Sequence, residues 1–342
     1  MTDRDAERAA AWAAEVPLPD APALQSPLSI ALFRTEAMAV SRHWVSLTPE
    51  ERRRRALEAA RDLDEAVLLD LLQAHRQLFG PAGARTSPQT QRTYTHGVRA
   101  FLGYVESSTG GLLRLSSDEA RLWIRMLEAK RSASTVTVYL AAARALMAAL
   151  RWAGALKEDV FLDARPGRNP TAPWERRRPY SESDFSTLLD CADIQDRVML
   201  LLGGHAGLRV AESTALVWAD LDLSARQLTV QHGKGGKRRQ VTLSRRLIKA
   251  LEEWRALAAT DEPRILPYTT TRARQRLKAL AEQADVPYLG THALRHTAGA
   301  RLYKATKNLE DVARHLGHSG LETARIYAKW DDEHLRRVVD EW

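Results

Sequence analysis

Near the end of the chain, RHLGHSGLETARIYA at 314–328 sets His318 in a glycine-rich break nine residues ahead of Tyr327. Alone, the pair reads as a helix cap and a core tyrosine, and the rest of the chain decides whether it does more. Upstream, His292-Ala293-Leu294-Arg295-His296 spaces two histidines four apart, on one helical face. A zinc protease would need glutamate directly after the first histidine, where Ala293 stands. No carboxylate–histidine cluster elsewhere completes a tetrahedral site, so no metal is expected. His292 and Arg295, three apart, instead suit a phosphate, because the guanidinium fork matches two oxygens at once. Arg209 lies in an apolar setting, MLLLGGHAGLRVAE, and Glu212 three residues on can pair with it. The stretch HGKGGKRR at 232–239 places Lys234 and Lys237 in a turn. It lacks the GxxxxGK[ST] pattern and no helix follows, which argues against a nucleotide P-loop. An exposed turn, or a lysine reaching a DNA phosphate, remain as its two readings.

Charge and composition narrow the partners. Lys and Arg number 51 against 43 Asp and Glu, a net charge of +8, and the pI is near 9.7. Basic residues favour polyanions by displacing condensed counterions, so nucleic acid is the partner to consider first. The single cysteine, Cys191, leaves no disulfide framework and no cysteine zinc site. MTDRDAERAA opens the chain without the apolar run of a secretion signal, and no uncharged apolar stretch is long enough to span a bilayer. These features point to the cytoplasm and away from a membrane.

The elements that must position these residues fall into two blocks. Residues 1–61, punctuated by Pro17, Pro19, Pro22 and Pro27, read as an irregular N-terminal extension of unassigned role, although EERRRR after Thr48-Pro49 opens a helix with a solvated face. From 62 to 165 helical patterns dominate. LDEAVLLDLLQAHRQLF stops at Gly80-Pro81, and Thr86-Ser87-Pro88 caps a second helix with Val98, Phe101, Leu102 and Val105 on one face. Helices opened by Ser116-Ser117-Asp118-Glu119 and by Ser132 complete a four-helix bundle. Residues 166–179 are proline- and arginine-rich and read as a linker, in which Arg176, Arg177 and Arg178 either serve solubility or contact DNA. From 180 to 342 helices resume around a single predicted β-hairpin, in which Leu228 and Val230 face Val241 and Leu243 across the Gly-Lys-Gly-Gly-Lys turn. The expected fold is mainly α with a small antiparallel β-sheet, in two domains.

Taken in order, Arg209, Lys234, His292-x-x-Arg295, Leu316-Gly317-His318 and Tyr327 resemble the tyrosine recombinase (phage integrase) family. GLRVAE resembles its first arginine box, GKGGKRR its hairpin lysine, THALRHTAGARL its second box, and LGHSGLETARIYA its third box with the nucleophile. SPQTQRTY and SASTVTVYLAAARAL resemble its helical core-binding domain. The compact boxes and short tail are most similar to the Xer-type bacterial recombinases, and the first 61 residues lie outside the resemblance.

The resemblance implies a two-domain clamp on a double-stranded recombination site. One strand is cut by Tyr327, giving a 3′-phosphotyrosyl link and a free 5′-hydroxyl. A phenol of pKa about 10 is only roughly 0.1% ionised at pH 7, so cations or a base must assist it. Arg209 and Arg295 are then expected to hold the non-bridging oxygens, Lys234 to protonate the leaving 5′-oxygen, and His292 and His318 to hydrogen-bond the phosphate, with Glu212 orienting Arg209. Lys237 joins Arg176, Arg177 and Arg178 as a candidate DNA contact. Neither metal nor cofactor is implied, because the covalent link conserves the phosphodiester energy. Strand exchange implies a homotetramer on two sites, alone or with a related recombinase. The tail stripe of Leu335, Val338 and Val339 is expected either to pack on its own domain or to dock on a neighbour. A type IB topoisomerase would share the chemistry, but the separate helical domain and the tail argue against it. A silent DNA-binding relative would not need the intact set of six groups.

Overall fold

The computed structural model describes residues 27–108, 110–167, 171–231, 238–258, 261–318, 320–330 and 339–340. The chain divides into two compact units, Met1–Pro170 and Thr171–Trp342.

In the first unit the four expected helices form: α3 (Glu65–Phe79), α4 (Pro88–Glu106), α5 (Ser117–Lys130) and α6 (Ala133–Trp152). Their starts are set by side chains that satisfy free backbone N–H groups. Ser87 Oγ accepts from Thr90 N at 3.1 Å, and Ser116 with Glu119 makes a reciprocal capping box. Phe161 meets Phe101 and Trp123 edge to face and Phe101 lies tilted on Trp123, with ring centroids 4.9–6.0 Å apart. By length and composition α6 could cross a membrane. Its Val136, Leu140, Ala143, Met147 and Leu150 instead lie in this core, which accounts for its apolar character.

The irregular extension expected up to residue 61 is corrected over its described part. Two further helices, α1 (Pro27–Ser46) and α2 (Pro49–Asp62), precede the bundle, and Trp44, Ala56, Ala59 and Ala60 join its core. Pro27, read as a break, stands at a helix start, where a missing N–H costs nothing. Thr48 and Glu51 cap α2 reciprocally, and the helix expected after Thr48-Pro49 forms as α2. Residues 1–26 lie outside the described residues.

The second unit is built around α9 (Ile194–Gly204), a helix whose Val198–Gly204 stretch is buried throughout. Around it run α8 (Glu182–Cys191), α10 (Val210–Ala215), α11 (Arg245–Leu257), α12 (Thr270–Gln283) and α13 (Thr291–Thr306). Two short helices, α14 (Leu309–Leu316) and α15 (Arg325–Ala328), follow. The expected hairpin is present as β2 (Gln227–Val230) and β3 (Arg239–Thr242), paired antiparallel with Leu228 opposite Val241 and Val230 opposite Arg239. A two-residue strand, β1 (Leu221–Asp222), adds a third edge strand. The turn joining β2 to β3, with Lys234 and Lys237, lies outside the described residues, as do Leu335 and Val338 of the tail; Val339 is exposed.

Part of the expected linker is an element after all. Pro173–Arg176 forms one helical turn, α7, and belongs to the second unit. Trp330 Nε1 donates to the Trp174 carbonyl at 3.0 Å, and the Lys329 ammonium stands over the Trp174 ring.

Candidate active site

Three pieces of backbone converge on one face of the second unit: the loop entering α10, the helix α13, and the junction from α14 to α15. Along α13, His292, Arg295, His296 and Gly299 recur at i, i+3, i+4 and i+7, so they line one face of the helix. That stripe is polar where a core helix would be apolar, and the site is assembled on it.

Arg295 is the most enclosed charge in the molecule's described part, 1% exposed. Its Nη1 donates to the Gly207 carbonyl and its Nη2 to the Leu316 carbonyl, both at 2.6 Å. One side chain thereby ties the loop before Arg209 to the end of α14. Burial, and then the neighbouring charge of Arg209, bring its pKa down to about 10, so it stays charged at neutral pH. A guanidinium carries five N–H donors, and two carbonyl bonds leave others for a ligand.

Arg209 stands at the N-cap position of α10. Its backbone N–H donates to Glu212 Oε2 and its Nη1 to Glu212 Oε1, each at 2.9 Å. Glu212 is itself buried, which would raise its pKa. Hydrogen bonds from Arg239 and from the Arg209 N–H, with both positive charges, outweigh that and hold the carboxyl at about 2. Arg239 was not singled out in the sequence, yet it makes the closest bonds here, Nη1 to Oε1 at 2.9 Å and Nη2 to Oε2 at 2.8 Å. A signal for it existed. Arg239 alternates with Val241 on the inward face of β3, and an inward arginine needs a carboxylate.

The Leu316-Gly317-His318 turn explains how a cap and a functional side chain share one residue. Gly317 ends α14 at φ +68°, and the His318 N–H returns to the Ala313 carbonyl at 2.8 Å, closing the helix as a Schellman-type cap. The backbone of His318 is thus structural, while its ring lies nearly parallel to that of Tyr327, 13° apart with centroids at 6.2 Å. Burial first, then Arg295 and Arg209, push His318 down to about 4, leaving it neutral. Among the described residues its Nδ1 is buried without a partner.

Tyr327, 1% exposed, is packed with Ala298, Val312, Ala313, Leu316 and Ala324. Its ring rests on Gly299: a Cβ there would sit 2.3 Å from Tyr327 Cε1. The hydroxyl lies 3.4 Å from Nδ1 of His296. Burial raises the phenol to about 12 despite the opposing charges of Arg295 and Arg209. His296, buried and pushed down to about 3, faces it as a neutral ring. In the sequence His296 had stood out only as half of a rejected zinc pair, although the polar stripe on α13 carries both it and Gly299.

His292 is exposed and meets the His296 ring edge to face at 4.7 Å. Lost hydration, then Arg295, Arg209 and Arg177, hold its pKa below the ordinary value. Arg176, Arg177 and Arg178 are all exposed, with Arg177 close enough to influence His292 and His296. The structure therefore brings Arg209, Glu212, His292, Arg295, His318 and Tyr327 together, with Arg177 at the margin, while Lys234 and Lys237 fall outside the described residues. A separate open cleft of about 800 Å³, lined by Arg226, Ala298, Arg301 and Arg314 among others, includes none of these six.

Two family models match this chain: the phage integrase family over residues 180–334, and the phage integrase N-terminal SAM-like domain over 82–154. The tyrosine recombinase XerC of Chromohalobacter salexigens is 31% identical over 275 residues, covering 75% of this chain and 90% of that protein. The chain belongs to the phage integrase family of tyrosine recombinases. The XerC of Pseudomonas fluorescens strain Pf-5 is 29% identical over 278 residues, again across 75% of this recombinase and 90% of its relative. In fold, the recombinase is similar to XerH bound to a palindromic difH substrate, with a TM-score of 0.66 at 19% identity over 92% of this chain and 96% of that one. It is also similar to a lambda integrase tetramer on a Holliday junction, with a TM-score of 0.63 at 15% identity over 75% and 76% of the two chains.

Proposed function

We propose that this tyrosine recombinase cuts and rejoins DNA at a specific site through a 3′-phosphotyrosyl link formed by Tyr327. The observation that carries the assignment of residues is the convergence of Arg209, Arg295 and His318 beside the Tyr327 ring. Two guanidinium groups supply fixed positive charge where the non-bridging oxygens gain charge in the transition state. Arg295 is pre-aligned by two carbonyls and Arg209 by a carboxylate, so neither must reorganise at the moment of reaction.

The Tyr327 oxygen attacks phosphorus, the bond from phosphorus to the 5′-oxygen breaks, and Lys234 donates the proton that the departing oxygen needs. The phenolic proton passes to a neutral imidazole, His296 being the one within reach at rest. His292 and His318 hydrogen-bond the phosphate. Because Tyr327 packs on Gly299 of its own chain, attack within the same protomer follows most directly. With its pKa raised to about 12, the phenol is protonated at rest, so its proton must leave as the oxygen attacks.

The reverse reaction with a partner strand exchanges the duplexes. That step calls for four copies on two sites, formed by this chain alone or with a related recombinase, acting on double-stranded DNA in the cytoplasm. Arg176, Arg177, Arg178 and Lys237 are candidate backbone contacts, which position DNA without reading its sequence.

The test is a denaturant-resistant protein–DNA adduct on nicked duplex. Wild type should form it, with EDTA present or absent. Tyr327→Phe should bind the same duplex and form none. An adduct that survives in Tyr327→Phe, or one that EDTA abolishes, would sink the assignment.

A further inference from the structure

Arg239 is a half-buried cation with no part in the reaction as drawn, and its surroundings give it one. It is the first residue of β3 and pairs with Val230 of β2. Its guanidinium spans both oxygens of Glu212 at 2.8 and 2.9 Å, with 12% of the Arg239 side chain and 5% of the Glu212 side chain exposed. Glu212 keeps two other bonds, both to Arg209. On the other side, the Arg239 stem lies against the cap of α14. A Cβ on Gly317 would stand 2.4 Å from Arg239 Cδ and 3.0 Å from Nε. Gly317 is followed at once by His318, and that backbone is left-handed at φ +68°. A single side chain therefore touches the group that orients Arg209 and the turn that delivers His318.

We propose that Arg239 is a positioning residue for the phosphate site, holding Glu212 so that Arg209 faces the scissile phosphate and wedging the Gly317 turn so that His318 does too. This rests on the reading of Arg209 and His318 as phosphate-binding groups. The physical reason is competition. Glu212 gives both oxygens to the Arg239 fork and only one of them, Oε1, to the Arg209 side chain. Freed of Arg239, Glu212 can close on the Arg209 fork with both oxygens, since that arrangement is favoured wherever a guanidinium and a carboxylate meet alone. Arg209 would then face inward and lose its grip on the phosphate. Lysine cannot substitute, because an ammonium has no fork to bridge both oxygens.

The experiment uses the full chain and a nicked duplex carrying the sequence that Tyr327→Phe selects from a random pool. Affinity and the rate of covalent adduct at saturating DNA are measured separately. Arg239→Met should lose about 10²-fold in the adduct rate, the size of effect a small misplacement of a catalytic group produces, with affinity changed by no more than about threefold. Arg209→Ala should cost at least about tenfold less in the Arg239→Met background than in wild type, because both changes act through one group. Arg239→Lys should resemble Arg239→Met. If Arg239→Met does not fold, Arg239→Lys, which keeps a positive charge beside Glu212 but no fork, carries the same comparison. A wild-type rate in either folded variant, a loss confined to affinity, or losses that multiply independently with Arg209→Ala would overturn the proposal. Wild type that forms no adduct would instead remove the cleavage reading itself, and that control is scored before any variant.

Discussion

Arg209 and Arg295 are expected to hold the same phosphate, yet the protein keeps them by opposite means. Arg209 is partly exposed and answered by a full negative charge, Glu212, which Arg239 shares. Arg295 is sealed from water and, among the described residues, its guanidinium bonds two neutral carbonyls, Gly207 and Leu316. Burial and the like charge of Arg209 lower its pKa to about 10 although Glu212 pulls the other way, so the fold carries a cation with no carboxylate bonded to it among the described residues. Such a group is destabilising at rest and gains most from an arriving phosphate. The contrast shows how one site can hold a strong anion receptor without losing its geometry: one arginine supplies the unmet charge, and the other is tethered by a salt-bridged network.

If that contrast holds, Arg295→Ala should be the most damaging single change, lowering the adduct rate by about 10³-fold, as loss of a pre-aligned donor does. Arg295→Lys should recover little, because a point charge cannot bond both carbonyls and phosphate together. Rates measured at saturating DNA on folded protein decide the matter, and an Arg295→Ala rate near wild type would break the comparison.

Next comes the floor under the nucleophile. Gly299→Ala places a methyl where Tyr327 Cε1 and Cζ now sit, at 2.3 and 2.4 Å. The ring must move, which should cost about 1–3 kcal/mol of stability and roughly 10²-fold in adduct formation. Urea melts and adduct kinetics read the two effects separately, and unchanged kinetics would show that the resting position of Tyr327 is unrelated to attack.

Acid stability tests the tethered arginine. Glu212 falls from the ordinary 4.5 to about 2 on folding, so its contribution is complete above about 4.5 and lost as pH drops from there towards 2. Glu212→Gln should be less stable than wild type at pH 7, on the order of 3 kcal/mol, with the gap narrowing below pH 4. A gap that stays constant with pH would mean that the carboxylate charge is not what holds the network.

The smallest expected effect concerns His318. Its folded pKa of about 4 lies below the ordinary 6.5, so the unfolded chain takes up its proton first. Stability should therefore decline as pH falls from about 6.5 towards 4. His318→Gln should remove about 1 kcal/mol of that decline, a figure reduced for the ring's partial exposure. Equal slopes in the two proteins would place the imidazole in water rather than against Arg295.

Much of this was legible in advance, and the misses have specific causes. The helices from Glu65 to Trp152 follow from caps and apolar periodicity, which are local signals. The helix over 27–46 was obscured because a proline such as Pro27 signals a break and a helix start equally well. His296 and Gly299 were overlooked because a polar stripe resembles a solvated face until something packs on it.

The order of residue types, Arg209 to Tyr327 with Glu212 three residues behind its arginine, was determined by the sequence alone, and so were the hairpin and the mostly helical fold. Only the tertiary structure decided that Arg295 is held by carbonyls 88 and 21 positions away, that Arg239 shares Glu212 across 27, and that Tyr327 rests on Gly299. The physical reason is range. Caps, turns and periodic faces are set by neighbours within about one helical turn, whereas a buried charge takes whatever partner the packing of distant elements brings to it.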